Sequence, residues 1–233
     1  MNLYGLQKMT LLDFPEHVAC TVFLSGCDLR CPYCHNFELA CGKAEAVMDE
    51  EEFFAFLKKR KGLLDGVAIT GGEPCLTKGL LPFMERVKAG GFAVKLDSNG
   101  LHPQVLKEAV KNHLVDYIAM DIKNAPSKYA MTTGKDLLDL RPLKESVDLL
   151  MEGSTPYESR TTVVREFHEA EDFHEIGALI KGAKAYFLQQ FTDRDSVPFA
   201  GLSSPTAEEM GEYLAVVREY VPSAKLRGVE ETA

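Results

Sequence analysis

Short apolar runs alternate with longer amphipathic stretches through most of the chain, and that rhythm predicts the fold. Residues 18–24 are an almost continuous apolar run of strand length. Residues 49–64 carry Phe53, Phe54, Phe56 and Leu57 among charges, the pattern of a helix with one buried stripe. Further strands are predicted over 66–70, 93–96, 117–122, 159–164 and 184–188. Helices are predicted over 78–89, 103–114, 138–151, 170–180 and 207–221, the second of them opened by a proline in its first turn. Residues 1–17 hold Leu6, Leu11, Leu12 and Phe14 among polar residues, with Pro15 at a turn. They are expected to lie across the open end of the core as a short strand and loop. Residues 222–233 are expected to fray.

Strands that alternate with helices of about 10–15 residues imply βαβ units and a parallel sheet. The six units counted here are too few for a closed eight-stranded barrel. The expected fold is therefore α/β, a partial (β/α)6 TIM-like barrel, with a doubly wound sheet as the alternative. No internal repeat or linker interrupts the pattern. One domain over 1–233 is expected, with its core at about 16–191.

Composition narrows the class of partner. The 233 residues are 45% hydrophobic and carry a formal charge of −9, which argues against a nucleic-acid-binding face. The basic run Lys58-Lys59-Arg60-Lys61 closes a predicted helix, where it complements the helix dipole in solvent. No apolar run approaches the roughly 20 residues that span a bilayer, so no membrane contact is expected. The N-terminus shows no secretion signal, and the six cysteines read as thiols or metal ligands in a cytoplasmic protein.

The chemistry gathers at the predicted strand ends, where parallel α/β folds carry their working residues. The first strand leads into Cys27, Cys31 and Cys34 at C-x3-C-x2-C spacing. Structural metal sites use four protein ligands, whereas three leave a position open for chemistry. A cubane iron–sulfur cluster on three thiolates would have one such iron. Zinc, with a fourth ligand from Cys41 or His35, is the bland alternative. Cys20 reads as core, and Cys41 and Cys75 as free thiols. The second strand ends in Gly71-Gly72-Glu73-Pro74, the third in Asp97-Ser98-Asn99-Gly100, and the fourth in Asp121 and Lys123. Each has an ordinary reading: paired glycines mark turns, aspartates cap helices, and lysines sit at surfaces. Arg160 is either a surface charge or a carboxylate clamp. His35, His102, His113, His168 and His174 show no ligand spacing.

Cys27, Cys31, Tyr33 and Cys34 together match the C-x3-C-x-aromatic-C signature of radical S-adenosylmethionine (SAM) enzymes. Gly71-Gly72-Glu73-Pro74 resembles the loop of that family that receives the amino group of SAM. Within the family the chain is similar to the activating enzymes of glycyl-radical enzymes. That likeness rests on Tyr33-Cys34-His35-Asn36, Asp97-Ser98-Asn99-Gly100, Asp121-Ile122-Lys123 and the strand from Arg160 to Val164. It is nearest to the group that activates anaerobic ribonucleoside-triphosphate reductase.

The resemblance implies that Cys27, Cys31 and Cys34 hold one [4Fe-4S] cluster and that SAM chelates its open iron. It implies SAM contacts from Tyr33, Gly71, Gly72, Glu73, Asn99, Lys123 and Arg160. It also implies a monovalent cation at Asp97 and Asp121, although Ala119 stands where those activases have a methionine ligand. The implied partners are a glycyl-radical enzyme and a flavodoxin or ferredoxin-type electron donor. Activation of pyruvate formate-lyase, small-molecule chemistry like that of 7-carboxy-7-deazaguanine synthases, and a non-catalytic metal-binding module are the competing readings.

Overall fold

The computed structural model describes residues 1–229 and divides into two compact units. The first comprises Met1–Asp28, Asn36–Ser98 and His102–Ala119; the second comprises Leu29–His35, Asn99–Leu101 and the chain from Met120 onward. The cysteine motif contributes to both, Cys27 to the first and Cys31 and Cys34 to the second.

In the first unit, β1 (Asn2–Leu3) and β2 (Gly5–Thr10) lead to β3 (Ala19–Leu24). Then come α1 (Phe37–Ala40), β4 (Met48–Asp49), α2 (Glu50–Lys59) and β5 (Gly66–Gly71). A 3-10 turn at Pro74–Leu76 precedes α3 (Leu80–Ala89), β6 (Ala93–Ser98) and α4 (Pro103–Lys111). The strand β7 (Tyr117–Asp121) begins in this unit and ends in the other. β3, β5 and β6 are parallel, in register Ala19↔Gly66↔Ala93. Every β3 side chain except Phe23 is buried, as expected for a parallel strand covered on both faces.

Local chemistry starts and stops these helices. Asp49 and Glu52 form a reciprocal capping box at the start of α2, with both bonds at 2.9 Å. Its buried Phe53 packs on Phe83 of α3 at 5.3 Å between rings. The helix ends at Lys59 and not near residue 64, because Leu63 and Leu64 both donate to the Arg60 carbonyl and close a turn. The basic run thus lies at a helix end and its following turn, as expected.

The expectation for residues 1–17 needs correction. β2 pairs antiparallel with β3, with a register shift between Gln7 and Thr10, and extends the sheet edge. A strand followed by a loop is present as expected, but the strand is an edge strand beside β3, with Gln7, Lys8 and Met9 all exposed.

In the second unit, α5 (Tyr129–Thr132) and α6 (Arg141–Glu152) lead to β8 (Tyr157–Val163). They are followed by α7 (Ala170–Leu179), β9 (Tyr186–Gln190), α8 (Ala207–Arg218) and β10 (Lys225–Arg227). β8, β9 and β10 are parallel, with Ser159↔Tyr186 and Lys225↔Phe187 in register. Just past β7, the Ile122 N–H donates to the Arg160 carbonyl at 2.7 Å. Buried Tyr186 donates to Thr161 Oγ1 (2.6 Å), which donates to the Ile122 carbonyl (2.7 Å). α7 and α8 pack through Phe173 and Tyr213, whose rings stack at 4.7 Å.

β10 corrects the frayed tail expected over 222–233. Three residues, two of them basic, carry no periodic signal, and the strand is held by ion pairing of Arg227 with Glu158. Residues 230–233 lie outside the described residues. The α/β class read from the sequence holds: parallel strands alternate with helices, the pattern of a partial (β/α)6 TIM-like barrel. Among the described residues no helix is long and apolar enough to cross a membrane.

The Thr206 side chain accepts from the Glu209 N–H at 3.2 Å and caps α8. Thr206→Ala should lower unfolding stability by about 1 kcal/mol. Urea denaturation would show this as a lower midpoint with an unchanged slope.

Candidate active site

In the first unit, the end of β3 and the end of β5 are locked together through backbone. Gly72 N–H donates to the Leu24 carbonyl (2.9 Å) and Glu73 N–H to the Gly26 carbonyl (2.7 Å). A Cβ at Gly71 would sit 2.2 Å from the Leu24 oxygen, and one at Gly72 would sit 2.1 Å from the Gly26 oxygen. Gly71 also has φ of +122°, which side chains rarely adopt. The glycine pair therefore serves a close backbone approach, and what it approaches is the segment that leads into Cys27. The Gly71 carbonyl accepts from Asn36 Nδ2 at 3.1 Å. α1 braces the same segment, through Gly26 N–H to Leu39 O (2.8 Å) and Cys27 N–H to Ala40 O (3.1 Å).

Glu73 is 1% exposed, and its Oε1 accepts from Cys75 N–H and Ser98 Oγ, both at 3.0 Å. Burial first, and the Glu73 carboxylate second, push the Cys75 thiol well above its usual range. His102 Nε2 lies 3.1 Å from Asp28 Oδ2, beside Cys27. That bond raises the imidazole above its ordinary value, although burial opposes it. Asp97 pairs with the buried Lys95 two residues back on β6.

The second unit holds the other part of the motif. Cys34 N–H donates to the Cys31 carbonyl at 3.1 Å, and Arg30 N–H donates to Thr133 O at 2.9 Å. Burial pushes the Cys31 thiol up to about 11, with partial relief from the Lys123 ammonium. The Tyr33 ring packs 5.8 Å from Phe167 and 6.5 Å from Phe191. Its Oη is buried with no hydrogen-bond partner among the described residues. His35 stacks on Phe191 at 5.5 Å and lies 2.7 Å from the Thr192 carbonyl through Nε2. Asn99 is buried and turns the chain by accepting from Leu101 N–H at 3.0 Å.

Asp121, Lys123 and Arg160 form one ionic group. Lys123 Nζ donates to Asp121 Oδ2 at 2.8 Å and Arg160 Nε to Oδ1 at 2.9 Å. Burial works against the Asp121 charge, but Arg160 and Lys123 outweigh it and hold the carboxyl well below its usual range. Burial likewise opposes the Lys123 charge, and Asp121 overrides it. Lys123 thus keeps its charge in a half-buried setting beside the Arg160 guanidinium, a pairing suited to an anionic group on a ligand. They also supply the counter-charge that a cation at Asp121 would otherwise bring.

The sequence singled out Asp121, Lys123 and Arg160 separately, and the fold brings them into direct contact. Several participants went unread. Lys95 sits inside an apolar run, and Asp28 and His102 are distant in sequence. Buried His168 donates neither a motif nor a spacing, yet its Nε2 lies 3.0 Å from the Lys123 carbonyl and its Nδ1 accepts from Val164 N–H at 3.2 Å. Glu158 and Arg227 form an ion pair between β8 and β10, which lie on either side of β9, and that contact is invisible before folding.

None of the six cysteines is joined in a disulfide; of the motif's three, Cys31 is buried and Cys27 and Cys34 are half-buried. Soft sulfur donors suit an iron–sulfur cluster better than a hard cation. Among the described residues no three His, Cys, Asp or Glu side chains form a ready-made metal cage. The fit therefore rests on donor chemistry and on the unpartnered Tyr33 hydroxyl.

The first unit thus carries a glycine-locked loop that leads into Cys27, and the second carries Cys31, Cys34 and a paired ionic group, all on an α/β fold of parallel strands and helices. The chain belongs to the radical SAM superfamily, which it matches over residues 21–177. MJ1227 of Methanocaldococcus jannaschii, a protein named for a provisional assignment as a glycyl-radical enzyme activating enzyme, is 31% identical over 98% of this chain and 96% of its own. The 7-carboxy-7-deazaguanine synthase of Thermococcus kodakarensis is 29% identical over 72% of each chain. A solved domain of pyruvate-formate lyase-activating enzyme from Bacteroides vulgatus covers 70% of this chain and 99% of its own, with a TM-score of 0.57 at 17% identity. That last likeness is one of fold.

Burial holds the His168 imidazole below its ordinary pKa, against the bonds to Lys123 and Val164 that favour its charge. The unfolded chain then takes up a proton on this ring before the folded chain does. Stability that depends on the neutral ring is complete above its ordinary value and is lost as pH falls toward the lower folded value. The stability difference between wild type and His168→Gln should therefore shrink between about pH 8 and about pH 5. Urea titrations at a series of pH values would measure it, and a constant difference would exclude this titration.

Proposed function

We propose that this protein is a radical SAM activase that generates a glycyl radical on a partner enzyme, with anaerobic ribonucleoside-triphosphate reductase as the partner. The observation that carries the reading is the Cys27, Cys31, Tyr33, Cys34 motif in a chain that aligns nearly end to end with MJ1227. Only Cys41 lies between Cys34 and Gly71, so one cluster is expected. The likeness to a 7-carboxy-7-deazaguanine synthase supports a second reading, hydrogen abstraction from a small molecule.

Cys27, Cys31 and Cys34 would hold the [4Fe-4S] cluster. The chemistry that cluster and SAM supply when bound is one-electron cleavage of a sulfonium carbon–sulfur bond, giving methionine and a 5′-deoxyadenosyl radical that takes a glycine α-hydrogen. Lys123 and Arg160 would meet the carboxylate or ribose of SAM, and Gly72 its amino group. Tyr33, with its buried hydroxyl, and Asn99 would complete the contacts, with Glu73 fixing the loop. The burial of Cys31 and Tyr33 would keep water from a reactive intermediate. An electron donor of the flavodoxin or ferredoxin type would reduce the cluster. A monovalent cation has less support than SAM, because Asp121 and Asp97 each already face a cation.

The test uses protein purified without oxygen, reconstituted with iron and sulfide, reduced, and given SAM. About four irons per chain and 5′-deoxyadenosine are expected, both lost in Cys27→Ala/Cys31→Ala/Cys34→Ala. Stoichiometric zinc with no SAM cleavage would sink the enzymatic reading. Once cleavage is established, adding anaerobic ribonucleoside-triphosphate reductase should give a glycine-centred radical by electron paramagnetic resonance. Its absence, with turnover of a 7-deazaguanine precursor instead, would favour the small-molecule reading.

A further inference from the structure

Alternating charges line one face of the second unit's strands, and the line continues beyond the group formed by Lys123, Asp121 and Arg160. Glu158 stands two residues before Arg160 on β8, on the same face of the strand. It comes no closer to Arg160 than 3.9 Å, from Oε1 to Nη1. Its oxygens instead receive Arg227 of β10 as a two-pronged pair, Nη1 at 2.8 Å and Nη2 at 2.9 Å. Arg227 is fixed in two further ways: Nη1 lies 3.2 Å from Gln189 Oε1, and the guanidinium lies 3.8 Å over the Phe187 ring.

Glu158 is 2% exposed, so water cannot screen its charge and a cation must answer it. The guanidinium groups of Arg227 and Arg160 both lie within 4 Å. The bidentate bond to Arg227 decides between them, because two parallel charge-assisted bonds outweigh a contact at 3.9 Å. Remove Arg227, and Glu158 competes with Asp121 for Arg160.

We infer that Arg227, seated by Gln189 and Phe187, is a positioning residue that engages Glu158 and thereby keeps Arg160 directed toward Asp121 and an incoming ligand carboxylate. The inference rests on the proposed SAM contact of Arg160. It gives β10 a part in positioning Arg160, although no β10 side chain touches the ligand.

The full chain, reconstituted with its cluster, would be titrated with SAM by equilibrium dialysis, with thermal midpoints measured on the same samples. Arg227→Met should weaken SAM binding about tenfold, the scale of one impaired charge-assisted hydrogen bond. Its kcat for 5′-deoxyadenosine at saturating SAM should stay at the wild-type value. Glu158→Gln should bind SAM as wild type does. The double variant Glu158→Gln/Arg227→Met should return to within about twofold of wild type, because the competing carboxylate is gone. A merely structural role would leave the double variant at least as weak as Arg227→Met. That result, or wild-type affinity in Arg227→Met, overturns the inference. Should Arg227→Met fail to fold, Arg227→Lys with and without Glu158→Gln decides by the same rescue. Wild-type protein that binds no SAM overturns the functional reading and this inference with it. Wild-type binding without rescue overturns the inference alone.

Discussion

The first unit depends on one close backbone approach, where the end of β5 presses on the end of β3. No side chain fits between Gly72 and the Gly26 carbonyl, where a Cβ would lie 2.1 Å from oxygen. Two backbone hydrogen bonds then tie the strands at that point, and α1 holds the same segment from its other side. The loop that starts at Cys27 is therefore launched from a fixed base. A thiol on a mobile loop would lose conformational entropy each time it bound metal. Here much of that loss is already met by folding.

The second unit solves an electrostatic problem. Asp121, Lys123 and Arg160 are half-buried charges that would each be costly alone. Together they offset one another's charge, with Lys123 and Arg160 each bonded to one oxygen of Asp121. His168 supports the arrangement from behind by bonding the Lys123 carbonyl, which anchors the backbone that carries the ammonium. Position is thus set by backbone contacts and charge by side-chain pairs.

The legible parts of the sequence were those with local signatures. The β3 and β5 runs are buried on both faces and so read as near-continuous apolar segments. The cysteine spacing and the Gly-Gly-Glu-Pro loop are contiguous motifs, whose glycines read as a turn; their close approach to the Leu24 and Gly26 backbone emerged from the fold. The partner in that approach was not legible, because it depends on the packing of Gly72 against Gly26, far away in sequence. Nor was β10, a three-residue strand that pairs in parallel with β9 and is anchored by an ion pair to a residue on β8. Lys95 and Glu158 illustrate the same limit. A buried charge looks like an interruption of an apolar strand until its partner is known.

The edge strands of the two units also bear on how the molecule keeps to itself. β2 in the first unit pairs with β3 and β10 in the second pairs with β9, each at an edge where unpaired backbone groups would welcome a strand from another chain. β2 breaks its register between Gln7 and Thr10 and carries Lys8 in that irregular stretch. β10 is three residues long and carries Lys225 and Arg227. Irregularity at one margin, and brevity with charge at the other, are poor templates for growth of the sheet. The same Arg227 that pairs inward with Glu158 thus helps to keep the outermost strand from recruiting another chain.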